Sequence, residues 1–170
     1  MEFREMRRRR QQISEEECIS ILQKGTSGVL SVLGDNGYPY GVPISYVYHS
    51  GRIYFHSATR GHKVDALARN PKASFTVIAL DNVLPEKYTT CFESVICFGN
   101  VKFIEDEEEK REILSLLGHR YNPFGGEEGL MREIAGAIGR VLVMEFVPEH
   151  ISGKRAKELL PRKGGVESEI

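Results

Sequence analysis

Two tight turns between short apolar runs constrain this chain more than any other feature of its sequence. The first is Asp35-Asn36-Gly37 and the second is His49-Ser50-Gly51. Asn and Gly adopt the positive φ angles that a tight hairpin turn requires. The segments beside the turns are small and apolar or rich in β-branched and aromatic residues, and they span 27–33, 38–48 and 52–56. They predict three consecutive antiparallel strands, with Pro39 and Pro43 placing the middle strand at an edge or a bend.

Helical and extended patterns alternate through the rest of the chain. Ser14 and Glu17 have the spacing of a capping box, which predicts a helix that ends at Gly25. Thr59 is a candidate cap for a second helix, which Asn70-Pro71 stops. Further helices are predicted at 105–117 and 127–137, and further strands at 72–80, 88–103 and 140–147, with fraying expected beyond 152. Many antiparallel strands with a few helices predict a mainly β fold, a closed or partly closed β-barrel with helical additions.

Length and composition fit one globular domain. The 170 residues predict a single domain over 1–155 and a charged tail over 156–170. A net charge of -1 gives no global basic field that would indicate a nucleic-acid partner. No apolar run approaches the ~20 residues that cross a bilayer, and no signal peptide is visible, so no membrane contact is expected. The odd number of cysteines (Cys18, Cys91 and Cys97) lacks zinc-site spacing and favours the cytoplasm.

Residues 7–10 are all arginine, a local exception to the balanced charge. Such a run can contact phosphate groups or anionic lipid. More often it is a solvated segment that leads into the first helix, and the sequence leaves both interpretations open.

The segment from Tyr54 to Lys63 carries the strongest chemical pattern. A strand ends in small polar residues, a glycine follows, and a helix begins with basic side chains. A helix N-terminus presents unpaired N–H groups and the positive end of the helix dipole, which suits a phosphate. The hydroxyls of Ser57 and Thr59, the charges of Arg60 and Lys63, and the close approach at Gly61 fit such a site. A capped helix with solvated cations explains the same residues equally well.

Several motifs together resemble one family of flavoproteins. They are Gly-Val-Leu-Ser at 28–31, Tyr-Pro-Tyr-Gly-Val-Pro-Ile-Ser at 38–45, Ile-Tyr-Phe-His-Ser-Ala at 53–58, Gly-His-Lys at 61–63, Phe-Glu-Ser-Val-Ile-Cys-Phe-Gly at 92–99 and His-Ile-Ser-Gly-Lys at 150–154. In this order they resemble the pyridoxamine 5'-phosphate oxidase-like proteins, and within that superfamily the 5-nitroimidazole-resistance (Nim) branch. The resemblance covers roughly residues 6 to 155. The arginines and histidine with which the oxidases hold their substrate's phosphate have no recognisable counterpart here.

The resemblance implies a six-stranded antiparallel split barrel that binds FMN at the interface of a homodimer. It implies that Val42, Pro43, Ile44 and Ser45 line the flavin ring, largely through backbone groups. It places His56, Ser57 and Lys63 at the ribityl phosphate, with His62 nearby, and Gly61 is the cofactor-binding position where the backbone can come close. Ser94 and Val95 are expected to approach from the second strand layer or from the partner subunit. No metal is expected.

The function that the resemblance implies is an FMN-dependent oxidoreductase. Electrons pass from a reductant, with NAD(P)H as a transient donor, through FMN to a small acceptor such as a nitroaromatic. His56 is the candidate catalytic residue, because histidine titrates near neutral pH and a histidine beside the flavin is associated with activity in the Nim proteins. A hydrogen-bonded scaffold role for His56 stays open. The alternative function is a non-catalytic flavin- or haem-binding module, in which His150 is a candidate iron ligand.

Overall fold

Eight strands and four α-helices account for most of residues 2–160, which are the residues described by the computed structural model. The strands are β1 Gln12–Ile13, β2 Ser27–Leu33, β3 Pro39–Ser45, β4 Val47–His49, β5 Arg52–Ala58, β6 Lys72–Leu84, β7 Thr89–Ile104 and β8 Val141–Arg155. The helices are α1 Glu15–Lys24, α2 His62–Arg69, α3 Glu107–Tyr121 and α4 Glu127–Ala137. All of the strand pairs are antiparallel, so the mainly β prediction is confirmed.

The sheet closes on itself through one bent segment of chain. Its strand order is β3-β2-β6-β7-β8-β5-β4, with β1 added to β8. The two end strands, β3 and β4, are consecutive in the chain and are separated only by Tyr46. The sheet must therefore curl until its two ends meet, and Tyr46 marks the place where the chain leaves β2 and joins β5.

The strand count is eight where six were expected, and the bend at Tyr46 explains most of the difference. It divides the predicted strand over 38–48 into β3 and β4. The remaining extra strand is β1, which is two residues long. If β3 and β4 are counted as one strand and β1 is set aside, the barrel has the six strands expected.

The two predicted turns have the expected backbone. Asn36 and Gly37 have φ angles of 57° and 78°, and Ser50 and Gly51 have φ angles of 48° and 78°. Each pair is the centre of a turn that joins two antiparallel strands. Each turn reverses the direction of the chain, so the short apolar segments on its two sides pair as neighbouring antiparallel strands.

Several predicted boundaries need correction. The third helix does not begin at residue 105: its cap is Asp106, whose carboxylate accepts the Glu109 N–H at 2.9 Å. The last strand does not fray after residue 152, because β8 pairs with β7 as far as Arg155. Arg155 also bonds to Glu17 and Glu93, which holds this end of the strand in place. Ala156 is still buried, and residues 161–170 of the predicted tail lie outside the described residues.

The capping box at Ser14 is present as predicted. The Ser14 hydroxyl accepts the Glu17 N–H at 3.2 Å, and the Glu17 carboxylate accepts the Ser14 N–H at 2.9 Å. The helix that follows, α1, covers one end of the barrel with Cys18, Ile21 and Leu22. These two bonds satisfy donors that a helix N-terminus otherwise leaves unpaired.

The apolar residues form two cores, one inside the barrel and one outside it. The inner core contains Leu30, Phe55, Phe75 and Phe146, all fully buried, and α1 and α2 contribute to it. The outer core lies where α3 and α4 pack against β4, β5 and β8. Within residues 2–160, no helix has the length and apolarity needed to span a bilayer.

A change of register occurs in β7 at Gly99. The pairing of β7 with β8 shifts between Phe98 and Gly99. A Cβ atom at Gly99 would lie 2.1 Å from the carbonyl oxygen of Val147, so only glycine fits there without a shift of the backbone. Nearby, Cys97 is fully buried, and burial raises the pKa of its thiol to about 12.

Candidate functional site

The loop between β5 and α2 opens the N-terminus of α2 toward solvent. Gly61 has a φ angle of 130°, a conformation that favours glycine, and the helix begins after it at His62. The first helical bonds run from the N–H groups of Val64 and Asp65 to the Gly61 carbonyl. The N–H groups that precede Val64 therefore point out of the helix end without an intrahelical acceptor.

Thr59 does not cap this helix, contrary to prediction. The cap is Gly61, which has no side chain with which to accept an N–H. Thr59 lies two residues before Gly61, in an exposed loop. The backbone conformation of Gly61 separates this loop from the helix. Because no side chain occupies the capping position, an external anion can take the role that Thr59 was expected to play.

Two cations stand beside the open helix end. Neither Arg60 nor Lys63 has a carboxylate oxygen within 4.0 Å anywhere in residues 2–160. Asp65, in the first turn of α2, is the carboxylate nearest in sequence. Ser57 donates its hydroxyl to the Ala58 carbonyl at 2.8 Å and keeps its lone pairs free. The local charge is positive, which suits a phosphate.

His62 is tied to the first hairpin turn. Its ring stacks on Tyr40 with centroids 4.2 Å apart and planes at 13°. Its Nε2 accepts the N–H of Asp35 at 3.2 Å. A hydrogen bond from Arg69 lowers the pKa of the Asp35 carboxyl below its usual value. These contacts attach α2 to the β2–β3 turn, so the side chain of His62 positions the helix.

The proposed ring-binding segment, Val42 to Ser45, lies at the edge of the sheet. β3 pairs with β2 on one side and ends the strand order on the other, within the described chain. Its side chains alternate, with Val42 and Ile44 partly buried and Pro43 and Ser45 exposed. The free side of this strand offers backbone donors and acceptors to a ligand or a second chain.

A row of uncharged side chains lies on the outer surface of the sheet beside β3, bordered by Lys72 of β6 and by Lys154 of β8, which pairs with Ser94. Register places one row of residues from β3, β2, β6 and β7 on this surface. The row consists of Ser27, Val29, Ser31, Leu33, Gly41, Pro43, Ser45, Ser74, Thr76, Ile78, Ser94, Ile96 and Phe98. We call it the uncharged face. Ile78 is 67% exposed and Phe98 is 41% exposed. Contiguous exposed apolar surface of this kind is typical of an interaction site.

The structure separates Ser94 from Val95. Ser94 belongs to the uncharged face, whereas Val95 is fully buried in the inner core, since successive side chains of a strand point to opposite sides. The backbone of Val95 lies between β6 and β8. Its side chain therefore packs inside the barrel and does not reach the surface on which Ser94 lies.

The same alternation separates His56 from Ser57. The side chain of His56 points away from the barrel interior and lines a mostly apolar cavity of about 270 Å³ between β5, α3 and α4. Leu117, Ile134 and Glu133 line this cavity too. Ser57, Gly61 and Lys63 therefore follow one another from the end of β5 to the first turn of α2, whereas the His56 side chain lies on the other side of β5 from that of Ser57.

A tyrosine hydroxyl at the bend of the barrel was not expected from the sequence. The Tyr121 hydroxyl accepts the Tyr46 N–H at 2.8 Å and lies 2.9 Å from the Tyr46 carbonyl oxygen. Tyr121 also lines the cavity that contains His56. No local pattern could have indicated this contact, because it joins residues far apart in the chain.

Comparisons with known proteins agree with this architecture. The chain matches the family model described as pyridoxamine 5'-phosphate oxidase over residues 14–155. A candidate 5-nitroimidazole antibiotic resistance protein of Bacteroides thetaiotaomicron is 26% identical, with a TM-score of 0.73 over 85% of this chain and 86% of that one.

Two mycobacterial structures share the fold at lower identity. A conserved hypothetical protein of Mycobacterium tuberculosis is 19% identical, with a TM-score of 0.77 over 96% of this chain and 99% of that one. An FAD- and haem-binding protein of Mycobacterium smegmatis is 22% identical, with a TM-score of 0.72 over 86% and 74% of the two chains. The resemblance that the motifs indicated is therefore confirmed, and the chain belongs to the pyridoxamine 5'-phosphate oxidase family of split-barrel proteins.

Proposed function

We propose that this protein is an FMN-binding oxidoreductase that works as a homodimer. In this proposal it passes electrons from a reductant, with NAD(P)H as a transient donor, to a small acceptor such as a nitroaromatic. The observation that carries the proposal is the open N-terminus of α2, where Gly61 leaves the capping position free beside two unpaired cations.

The residues at this helix end fit a flavin phosphate. A phosphate dianion needs several N–H donors and positive charge, and the free N–H groups of α2, Arg60 and Lys63 provide both. The hydroxyl of Ser57 is one further partner. This phosphate group is common to FMN and FAD, so the site accounts for a flavin of either kind, and FMN is the proposed one.

The edge strand β3 and the uncharged face suit the flavin ring and a second copy of the chain. The free backbone groups of residues 42–45 are available to the polar edge of the ring, and Ser94 lies on the same outer surface. Pairing two uncharged faces would remove apolar side chains such as Ile78 and Phe98 from water. The bound flavin supplies electron transfer, while the protein binds it, orients it and excludes water.

Replacing Lys63 with alanine should weaken FMN binding about 10- to 100-fold, since a hydrogen bond to a charged group is worth about 1.5–3 kcal/mol. The matched control is Lys102→Ala, which removes an exposed lysine from β7. Binding is measured by flavin fluorescence quenching, and the ligand released by heat is identified by mass. A colourless protein that does not bind added FMN would overturn the proposal. If the heated protein releases FAD, the cofactor is FAD and not FMN.

Replacing His56 with alanine should lower FMN-dependent turnover of a nitroaromatic about tenfold while leaving FMN affinity unchanged. We expect this because the His56 side chain faces the apolar cavity, away from Ser57, and a lost hydrogen bond of about 1.4 kcal/mol is a factor of ten. His49→Ala, in an exposed turn, is the control. A parallel loss of FMN affinity would assign His56 to the phosphate instead.

The second candidate function is a non-catalytic flavin- or haem-binding module. One observation favours it: His150 lies at the end of the uncharged face, where its ring stacks on Phe3 with centroids 4.7 Å apart. Aromatic rings around a partly buried histidine are compatible with a flat macrocycle, and the M. smegmatis protein with this fold is described as binding haem. A Soret band in the purified protein would favour this function.

A further inference from the structure

The arginine run at residues 7–10 forms one wall of a cavity at the surface. This cavity has a volume of about 630 Å³ and lies where the N-terminal segment meets the start of β7 and the turn after β8. It is lined by Arg7, Arg8, Arg9, Arg10, Gln11, Thr89, Thr90, Phe92, Lys157 and Glu158. We call it the arginine pocket. Its size is typical of small-molecule sites, which span about 300–1,000 Å³.

The arginine run is held in place by the sheet. Directly after it, Gln12 and Ile13 pair with Lys154 and Gly153 of β8. At the end of the run, the N–H of the next residue, Gln11, donates to the Arg8 carbonyl at 2.9 Å. The segment is therefore part of the folded domain, and its guanidinium groups are attached to an anchored backbone.

Three of the four guanidinium groups carry charge that the protein does not neutralise. Arg9 pairs with Glu5, and Lys157 lies 3.9 Å from Glu158. Arg7, Arg8 and Arg10 have no carboxylate oxygen within 4.0 Å among residues 2–160. Three unpaired cations in the lining of one cavity make its potential positive, which attracts an anion.

A buried amide without a partner lines the same pocket. Gln11 is 7% exposed, and its side-chain oxygen has no hydrogen-bond partner among the described residues. Buried acceptors are nearly always paired in folded proteins, so this oxygen would gain a partner if the amide turned toward a donor in the pocket. The terminal torsion of glutamine is broad, which allows the amide to turn toward a ligand in the pocket.

We propose that the arginine pocket binds a nucleoside diphosphate. The diphosphate group, with about three negative charges near neutral pH, lies on Arg7, Arg8 and Arg10. The base donates an exocyclic N–H to Gln11 and packs against Phe92, the aromatic residue of the lining. This site is separate from the α2 N-terminus and does not depend on the proposed flavin site.

Titration calorimetry of the flavin-saturated, full-length protein with ADP tests the proposal. ADP should bind, and the triple variant Arg7→Ala, Arg8→Ala, Arg10→Ala should weaken its binding at least 100-fold, since three charge-assisted contacts are lost. The matched control removes three exposed cations elsewhere, Lys72→Ala, Lys102→Ala and Arg132→Ala, and should leave the affinity unchanged. Equal effects of the two triple variants, or no binding of ADP, would overturn the proposal.

A single substitution separates recognition of the base from attraction of phosphate. Gln11→Leu should weaken ADP binding about tenfold and leave the binding of inorganic pyrophosphate unchanged. If pyrophosphate and ADP bind equally and Gln11→Leu changes neither, the pocket does not recognise a nucleoside. A single-stranded oligonucleotide that binds more tightly than ADP would equally contradict the proposal.

Two further measurements identify the source of the nucleotide and separate this site from the flavin site. Displacement of ADP by FAD but not by FMN would assign the pocket to the adenylate half of that cofactor, whereas displacement by a pyridine nucleotide would assign it to a soluble donor. Either result supports a nucleoside diphosphate site. Lys63→Ala should lose flavin and keep its affinity for ADP, so the two proposals can fail independently.

Discussion

Replacing Gly99 with valine should destabilise the barrel by roughly 3 kcal/mol or more, at the upper end of what overpacking costs. The reason is geometric: a Cβ atom at this position would lie 2.1 Å from the Val147 carbonyl oxygen and 3.0 Å from the Cα of Pro148. Both contacts are backbone atoms of β8, which pairs with β7 and β5 and cannot move aside without disturbing both.

The measurement is the free energy of unfolding in urea, followed by circular dichroism. Gly136→Ala is the matched control, because Gly136 lies in α4 and a Cβ atom there meets nothing within 4 Å. This control should gain about 0.5–1 kcal/mol from the helix propensity of alanine. Equal stabilities of Gly99→Val and the wild type would show that β8 does not approach β7 as described.

Replacing Tyr46 with alanine should cost about 3–5 kcal/mol, since a large, fully buried ring would leave a cavity at the bend of the barrel. The ring meets Phe75 edge-on, with centroids 4.9 Å apart. Its hydroxyl donates to the Leu22 carbonyl at 2.8 Å, and Leu22 lies in the last turn of α1, where carbonyls lack helical partners.

Tyr46→Phe separates the ring from the hydroxyl. This variant keeps the ring and removes only the donor, so it should cost about 1–3 kcal/mol, the penalty for an unsatisfied buried acceptor. Tyr88→Ala, at a position 99% exposed, should leave unfolding unchanged. We expect the urea midpoint to be lowest for Tyr46→Ala, higher for Tyr46→Phe and highest for Tyr88→Ala. A Tyr46→Ala protein as stable as Tyr88→Ala would contradict the role of the bend.

Local sequence determined the two turns and the cap of α1, because their physics is local. The positive φ angles at Asn36 and Ser50 follow from residue types within a few positions. The capping box at Ser14 likewise depends on residues one helical turn apart. The helix over 127–137 has the bounds predicted from its pattern.

The sequence indicated which segment of the chain carries the candidate site, but not which of its side chains share a surface in the fold. The order of Ser57, Gly61 and Lys63 indicated a phosphate loop, yet the helix starts three residues after Thr59 because of the conformation of Gly61. Strand alternation alone could have separated His56 from Ser57. The contact of His62 with Asp35 could not be predicted, because its partners lie 27 positions apart and meet only when α2 packs on β2.

The uncharged face was also beyond the reach of sequence reasoning. Its residues come from four strands, and each strand shows only alternation of small and apolar side chains. The absence of charge becomes visible only when register places Val29, Thr76 and Ile96 side by side. A pattern shared by several strands requires the sheet topology before it can be recognised.

The position of β8 in the sheet has a consequence for synthesis on the ribosome. Before residues 141–155 emerge, the nascent chain can form two separate sheets, β3-β2-β6-β7 and β5-β4, which are joined through Tyr46 and through the segment that contains α2. The facing edges of β7 and β5 then have no partner, and the apolar rows that become the inner core are open to water. Such edges are where premature association of nascent chains begins. The last strand therefore completes the barrel in a single late step, and a ribosome that stalls before residue 141 releases a chain that cannot close.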